Sequence, residues 1–194
     1  MSLYFERQHG ILEEIRKIKS PSKIIDMGCG DGKLLFFLAN QMPPCELIGI
    51  DKSEKAIRKA KKLNTENGVC FYHQSFFVYN PIFADAVIII LSEVIEHLQK
   101  EEIQSLLFLV LEKYKPRLLL ITTPNKSYNT NYDVLVNGLR HSSHIFELSD
   151  RDVINFTEEL KHKFSCYTIR AKYCDKLGAS HLIIAERNQY HEKN

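Results

Sequence analysis

Two carboxylates and an imidazole lie close together in the segment Ser92–Leu98, which reads Ser-Glu-Val-Ile-Glu-His-Leu. If this segment is helical, Glu93, Glu96 and His97 stand at positions i, i+3 and i+4 and share one face. Carboxylates that point at one place repel each other unless a cation lies between them, and mixed oxygen and nitrogen ligands suit Mg²⁺ or Mn²⁺. The segment therefore predicts a divalent metal site. A second interpretation stays open, in which these residues are only the charged start of a helix and Glu96 forms a solvated ion pair.

A glycine-rich turn supplies the second candidate site. The segment Asp26–Lys33 reads Asp-Met-Gly-Cys-Gly-Asp-Gly-Lys and lies between a predicted strand and an apolar helix, the arrangement that brings backbone against a nucleotide. A Cβ at Gly28 or Gly30 would hold such a ligand away, while Lys33 stands where a dinucleotide fingerprint needs glycine. Asp51, at the end of the next strand, is the predicted acceptor for both hydroxyls of a ribose. The alternative is that the turn merely closes a strand–helix unit.

The elements that must position these residues alternate between strand and helix. Short runs rich in Ile, Leu and Val alternate with amphipathic stretches, the pattern of a parallel sheet covered by helices on both faces. The last two predicted strands have no crossover helix between them, so we expect an antiparallel pair at the sheet edge. The predicted strands are Lys23–Met27, Leu47–Ile50, Val69–Gln74, Asp85–Leu91, Arg117–Thr122, Phe164–Ala171 and His181–Glu186.

Helical spacing or composition marks five stretches, and Ser53 and Ser149 are the predicted N-caps of two of them. Residues 124–148 have weak periodicity and predict a long irregular insertion at the site. We expect residues 1–194 to form a single catalytic domain that opens with a helix within residues 1–20. The predicted helices are Tyr4–Ile18, Leu34–Gln41, Ser53–Asn64, Lys100–Lys113 and Asp150–His162.

The composition argues against several classes of protein. Among 194 residues, 26 Lys and Arg against 24 Asp and Glu leave a formal net charge of +2, so no overall basic excess points to nucleic acid. Five scattered cysteines without a CxxC pair argue against a disulfide framework and a zinc site. The N-terminal residues carry charges where a signal peptide needs an apolar core, and the apolar runs are too short to cross a bilayer. We therefore expect a cytoplasmic protein with no membrane attachment.

The glycine turn and the acidic end of the second strand together resemble motifs I and II of class I S-adenosylmethionine-dependent methyltransferases. The resemblance implies a Rossmann-like α/β fold with a seven-stranded, mostly parallel sheet whose last strand is antiparallel. It also implies S-adenosylmethionine as the cofactor, with its methionine end beside the glycines and its adenine near Ser75, where the family often has Asp. The implied cofactor-binding residues are Asp26, Gly28, Gly30, Asp51, Ser75 and Leu91.

Three further segments together resemble the family that 2′-O-methylates the 3′-terminal nucleotide of small RNAs. That family comprises plant microRNA and animal piRNA methyltransferases and their bacterial RNA-repair relatives. The segments are Glu93–Leu98, Thr123–Asn129 and Arg140–Glu147, and the resemblance extends over about Ile24 to Arg187. The chain therefore resembles the catalytic domain of that family.

This second resemblance implies roles for individual residues. The implied metal ligands and catalytic residues are Glu93, Glu96, His97 and His144. Arg140 is a candidate for a phosphate contact, and Tyr128 and Phe146 are candidates for stacking on the last base. The sequence departs from the family at Leu148, where Trp is common, and at Ser143, where an acidic residue is common.

The implied activity is methyl transfer to the 2′-hydroxyl of an RNA with a free 3′ end. A divalent metal that binds a ribose hydroxyl lowers its pKa and fixes its position, and chelation of both terminal hydroxyls would select the last nucleotide. Recognition of the rest of the RNA is either weak or left to a separate RNA-binding or repair protein. Two alternatives stay open: a small-molecule O-methyltransferase of the quinone or phenol type, and a non-catalytic module that binds the cofactor or RNA ends.

Overall fold

The computed structural model describes residues 2–63 and 68–188. Alternating apolar runs form the strands, and the central strands are buried on both faces, as the sequence predicts. The two edge strands, Cys70–His73 and Tyr167–Tyr173, are largely exposed on one face. The strands are β1 (Lys23–Met27), β2 (Glu46–Asp51), β3 (Cys70–His73), β4 (Ile88–Ser92), β5 (Leu118–Pro124), β6 (Tyr167–Tyr173) and β7 (Ser180–Arg187).

All seven strands join one sheet in the order β3-β2-β1-β4-β5-β7-β6. The first five strands are parallel, and β7 runs antiparallel between β5 and β6. This confirms the predicted mostly parallel sheet with an antiparallel last strand. The chain moves outward from β1 to β3 and then returns to β4, so the strand order reverses between β1 and β4. That reversal opens a crevice at the carboxyl ends of these two strands.

Five α-helices accompany the sheet at the predicted places. The predicted helix over Lys100–Lys113 is divided, because its second half continues as a π-helical segment, Leu109–Tyr114. The predicted end of the third helix at Asn64 lies outside the described residues. Among the described helices, none combines the length and apolar composition needed to cross a bilayer. The helices are α1 (Leu3–Ile15), α2 (Lys33–Gln41), α3 (Glu54–Leu63), α4 (Lys100–Phe108) and α5 (Asp150–Lys163).

Alternation along the strands divides the core into two layers. Successive side chains of a strand point to opposite faces of the sheet. Ile24 and Ile88 therefore pack in the layer formed by α1, α2 and α3, whereas Ile25 and Ile89 pack in the layer formed by α4 and α5. Helices thus cover both faces of the sheet. Polar side chains lie instead at the ends of the strands.

Both predicted N-caps are confirmed. Ser149 Oγ accepts a hydrogen bond from the Asp152 amide at 3.2 Å, and the Asp152 carboxylate accepts one from the Ser149 amide at 3.0 Å. Ser53 Oγ accepts from the Ala56 amide at 3.2 Å at the start of α3. The predicted start of β4 at Asp85 is wrong, because Asp85 lies in the preceding turn and binds Lys23 Nζ at 2.6 Å.

A buried carboxylate joins α1 to β6. The Glu14 side chain is about 1% exposed and accepts contacts at 2.7 to 2.8 Å from Lys17, Arg170 and Lys172. Burial alone would raise the pKa of Glu14, but the hydrogen bonds from these three cations lower it to about 2. The cluster fixes α1 against the strand beside it.

We expect Glu14→Gln to weaken this junction in a pH-dependent way. The folded-state pKa lies below the ordinary value of 4.5, so the stabilisation is present above that value and is lost as the pH falls toward 2. The variant should lose about 2 kcal/mol of unfolding free energy at pH 7, a figure reduced from the full shift because the cations are partly exposed. Urea unfolding at pH 7 and pH 3 measures the difference, with the exposed Glu13→Gln as the control. Equal losses at both pH values would contradict the assignment.

Candidate active site

The predicted cofactor loop and the predicted metal segment border the same crevice. Asp26 lies near the end of β1, Asp51 ends β2, and Glu93 directly follows β4. The two segments are in contact, since a Cβ on Gly28 would lie 2.6 Å from Val94 Cγ2. The reversal of strand order therefore brings two half-sites together.

The glycine loop turns sharply and leaves room beside it. Gly28 and Gly30 have φ angles of +86° and +55°, in the left-handed region that favours glycine. The Gly28 amide donates to the Ile50 carbonyl at 2.8 Å, and the Gly30 amide donates to the Asp51 carboxylate at 2.9 Å. A Cβ on Gly30 would meet no atom of the described chain within 4 Å. The loop thus presents open space beside backbone, as a ligand-binding loop requires.

Asp26 is a buried acid with unused hydrogen-bonding capacity. Its side chain is almost fully buried, and its Oδ1 atom has no hydrogen-bond partner among the described residues. Burial, and then the nearby charge of Asp51, raise the pKa of Asp26 to about 7. An unpaired buried carboxylate oxygen is costly, so it marks a place where a donor or cation from a ligand would fit.

The other predicted cofactor residues differ in how they face the crevice. Asp51 accepts hydrogen bonds from the amides of Gly30 and Ser53, which hold its carboxylate at the strand end. Ser75 is exposed in the loop after β3 and accepts a hydrogen bond from the Phe77 amide at 3.3 Å. The Leu91 side chain is fully buried in the core layer beneath α4 and α5. Contact between Leu91 and a cofactor would therefore involve its backbone.

Three of the four predicted metal ligands come together. Ligand atoms of Glu96, His97 and His144 all lie within 4.8 Å of one another. Glu96 is fully buried, and its Oε1 atom has no partner in the part of the chain that the structure describes, while Thr123 donates to Oε2 at 3.3 Å. Burial and then the charge of Glu93 raise the pKa of Glu96 well above its ordinary value. This oxygen-and-nitrogen set with an unpaired oxygen fits a divalent cation.

The predicted helical face does not form, and Glu93 points elsewhere. The segment makes one turn of 3₁₀ helix, Ile95–His97, and Glu93 has a φ of +58°. The Glu93 amide still donates to the Thr122 carbonyl, so the backbone leaves the strand abruptly rather than entering a helix. Its carboxylate lies 3.1 Å from Arg7 and accepts from the Thr122 hydroxyl at 3.1 Å. Glu93 is thus not part of the cluster formed by the other three predicted ligands.

Hydrogen bonds orient both imidazole rings toward the cluster. His97 Nδ1 lies 3.0 Å from the Ser143 carbonyl oxygen, which can only accept, so Nδ1 carries the proton. His144 Nδ1 lies 2.6 Å from the Glu147 carboxylate. Burial opposes ionisation of Glu147, but hydrogen bonds from Asn129, the Arg140 amide and His144 lower its pKa below the ordinary value. Both rings therefore keep Nε2 available as a metal ligand or proton acceptor.

Arg140 holds the insertion together instead of facing solvent. Its guanidinium donates to Asn129 Oδ1 at 2.7 Å and to the backbone carbonyls of Ala179 and Asn125. It also lies over the rings of Tyr128 and Tyr132, at 5.7 and 4.9 Å from their centroids. The guanidinium therefore forms an internal cross-link, through backbone acceptors that spacing in the sequence does not reveal. Its contact with an RNA phosphate stays a prediction.

The two predicted stacking residues have different surroundings. Tyr128 lies beside Arg140 and makes an edge contact with Tyr132, with ring centroids 6.0 Å apart. Phe146 is half-buried against the core and lines a groove of about 980 Å³ between α4 and α5. Their stacking on a base stays a prediction.

Comparison with known families agrees with this geometry. Residues 18–135, more than half of the chain, match the family described as a methyltransferase domain. The chain belongs to the methyltransferase domain family. The seven-stranded, mostly parallel sheet and the antiparallel last strand of this methyltransferase domain are those that the sequence resemblance implies.

Several relatives of this methyltransferase domain are small RNA 2′-O-methyltransferases. The protein of Schizosaccharomyces pombe is 25% identical over 91% of this chain, and that of Mus musculus is 25% identical over 87%. The Arabidopsis thaliana protein is 32% identical over 64% of this chain. The chain spans about half of the first two relatives, 53% and 45%, and 14% of the third.

Solved structures show the same fold. The small RNA methyltransferase HEN1 superposes with a TM-score of 0.83 at 27% identity, covering 96% of this chain and 26% of that one. The methyltransferase domain of bacterial CtHen1-C superposes with a TM-score of 0.82 at 23% identity, covering 97% of this chain and all of that one. A plantazolicin methyltransferase solved with SAH has a TM-score of 0.69 at 15% identity, over 95% of this chain and 83% of that one. The last two similarities show the fold alone.

The groups that support the predicted ligands could not be found from the sequence. Arg7 lies on α1, far from the metal segment in sequence, and only the fold brings it to Glu93. Glu147 belongs to the segment that carried the family resemblance, but its contact with His144 needed the fold of the insertion. Asn129, buried between Arg140 and Glu147, gave no separate signal.

We expect Arg140→Lys to destabilise the domain although it keeps the charge. Lysine lacks the planar fork that reaches several acceptors at once, so about 2 kcal/mol of unfolding free energy should be lost. Urea unfolding measures the loss, and Arg151→Lys at an exposed position of α5 is the matched control. A loss for Arg140→Lys no larger than the control's would show that the cross-link is not structural.

Proposed function

We propose that this domain transfers a methyl group from S-adenosylmethionine to the 2′-hydroxyl of the 3′-terminal nucleotide of RNA, with one divalent metal ion. The observation that carries the proposal is the cluster of Glu96, His97 and His144 beside the glycine loop at one sheet edge. The names of the relatives from Schizosaccharomyces pombe, Mus musculus and Arabidopsis thaliana support the RNA substrate.

The glycine loop side of the crevice suits S-adenosylmethionine. Asp26 offers an unpaired buried oxygen, Gly30 leaves space beside the loop, and Asp51 stands at the strand end where a ribose would bind. When bound, the cofactor supplies an electrophilic methyl group on its sulfonium. The loop backbone fixes the position of that group relative to the acceptor, and such alignment supplies much of the rate.

The acidic turn and the insertion suit Mg²⁺ or Mn²⁺. Glu96, His97 and His144 would hold the ion, and Glu93 would neighbour it once released from Arg7. When bound, the ion supplies Lewis acidity that lowers the pKa of a ribose hydroxyl.

The same cluster gives a physical reason for selecting a 3′ terminus. A terminal ribose offers adjacent 2′ and 3′ hydroxyls, whereas an internal ribose has its 3′ oxygen in a phosphodiester. If Glu96, His97 and His144 hold the ion, further coordination positions would be open to both hydroxyls. We also propose that a separate RNA-binding or repair protein contributes to recognition of the remaining RNA.

The direct test is transfer of a labelled methyl group to a short RNA with and without Mn²⁺. We expect labelling that requires the metal and a free 2′,3′-diol, and that His144→Ala reduces at least about 100-fold because a direct ligand is removed. RNAs ending in 2′-deoxy or 3′-deoxy nucleotides test the diol, and His162→Ala on the exposed end of α5 is the matched control. Metal-independent labelling, or transfer to a phenol but not to RNA, would overturn the proposal.

Loss of the Glu147 contact should weaken metal binding without removing a ligand. Glu147→Gln keeps the shape of the side chain but no longer fixes the His144 tautomer as a carboxylate does, so Mn²⁺ affinity should fall by about 10- to 100-fold. Titration calorimetry with Mn²⁺ measures the change, with Glu158→Gln as the exposed control. Unchanged Mn²⁺ affinity in a folded Glu147→Gln protein would contradict the role of Glu147.

A further inference from the structure

Helix α3 and the two residues before it form a strongly basic segment. This basic segment, residues 52–63, contains six Lys or Arg and one Glu, a net charge of +5, whereas the whole chain has a net charge of +2. The remainder of the chain is therefore net acidic, at −3. The balanced total conceals one element whose charge favours an anionic partner. The six cations are Lys52, Lys55, Arg58, Lys59, Lys61 and Lys62.

The cations of the basic segment are exposed, and most of them lack a counter-ion. All six side chains face solvent, while α3 packs on the core through Ile57. Arg58 lies 3.5 Å from Glu54, and Lys59 lies 2.7 Å from Asp31. The other four cations make no ion pair with a residue that the structure describes. Their charge is therefore available to a ligand.

Helix stability does not explain this arrangement. Lys55 and Lys59, and likewise Arg58 and Lys62, stand at positions i and i+4, where like charges destabilise a helix. Lys61 and Lys62 lie in the last turn of α3, where the helix dipole favours cations, but the others do not. A bound polyanion would relieve the repulsion along the helix. The pattern therefore favours a ligand that presents several negative charges at once.

The basic segment adjoins the crevice. Lys52 directly follows Asp51, the acid that ends β2 beside the glycine loop. Lys59 Nζ and Lys33 Nζ lie 2.7 and 3.5 Å from the same oxygen of Asp31, which belongs to that loop. Cations therefore extend from the loop along α3, over about 15 Å at 1.5 Å a residue. A strand that ends in the crevice has a positively charged surface beside it.

We propose that the basic segment binds phosphates of the RNA upstream of its 3′-terminal nucleotide. The proposal rests on the proposed function, which supplies RNA as the ligand and places its 3′ end in the crevice. Lysine binds a phosphate as a point charge and reads no base, so this contact is independent of the RNA sequence. The segment then gives the domain an affinity of its own for RNA, beside the contribution of a separate RNA-binding protein.

The salt dependence of RNA binding by the full chain tests the proposal. Fluorescence anisotropy measures the affinity for a single-stranded RNA of about 16 nucleotides, in EDTA and without cofactor, so that the proposed metal contributes nothing. The α3 variant combines Lys55→Gln, Lys61→Gln and Lys62→Gln, which keep helix propensity because Gln and Lys are similar in it. We expect its affinity at low salt to fall at least about tenfold. The slope of log K against log salt should decrease in magnitude by about 2, at about 0.7 for each lost phosphate contact.

The matched control removes the same charge from the opposite face of the sheet. It combines Lys113→Gln, Lys161→Gln and Lys163→Gln, three exposed lysines beside α4 and on α5. We expect this control to keep the wild-type slope. Should the α3 variant fail to fold by circular dichroism, Lys55→Gln alone should still lower the slope by about 0.7.

Methyl transfer to the same RNA separates the two proposals. Transfer by the wild type with equal slopes for the α3 variant and the control would overturn the role of the basic segment alone. RNA binding that the α3 variant weakens, without transfer by the wild type, would contradict the proposed function and support the RNA-binding surface. Weaker binding of the α3 variant to phosphatidylserine vesicles, with unchanged affinity for RNA, would overturn the inference in favour of a membrane contact.

Discussion

The candidate site depends on the hydrogen bond between His144 Nδ1 and Glu147. This bond fixes His144, the one residue of the cluster with Glu96 and His97 that comes from the irregular insertion. A buried carboxylate is costly unless its oxygens are occupied, and here Asn129, the Arg140 amide and His144 occupy them. Arg140 in turn binds Asn129 and the backbone carbonyls of Asn125, near the start of the insertion, and Ala179, just before β7. Beyond the short 3₁₀ helix Lys126–Asn131, the insertion can therefore be irregular and still hold an imidazole in place.

The rest of the site follows from the edge of a parallel sheet. Strands β1, β2, β4 and β5 end on one side, so a cofactor loop and an acidic turn that are distant in sequence become neighbours. Gly28 of the loop contacts Val94 of the turn that carries Glu96. A larger side chain at Gly28 would therefore displace that turn. The fold thus places a proposed methyl donor and a proposed cation on two sides of one crevice.

The sheet could be predicted well from the sequence, because buried strands are apolar on both faces. The glycine loop could also be predicted, because a glycine-rich turn between a strand and a helix is typical of a nucleotide site. The sequence also predicted Glu96, His97 and His144 as a set, although a 3₁₀ turn rather than a helical face joins the first two. It could not predict that Glu93 pairs with Arg7 or that Arg140 binds backbone carbonyls. Those partners are distant in sequence, and their contacts depend on packing that spacing does not encode.

In our proposal, a strand-end turn and an irregular insertion together form a divalent cation site. Anomalous diffraction from crystals of the protein soaked in Mn²⁺ tests it most directly. The account predicts one peak at about 2.0 to 2.3 Å from a Glu96 oxygen and from Nε2 of both His97 and His144. A map in which Mn²⁺ occupies other positions while this cluster shows no peak would contradict it.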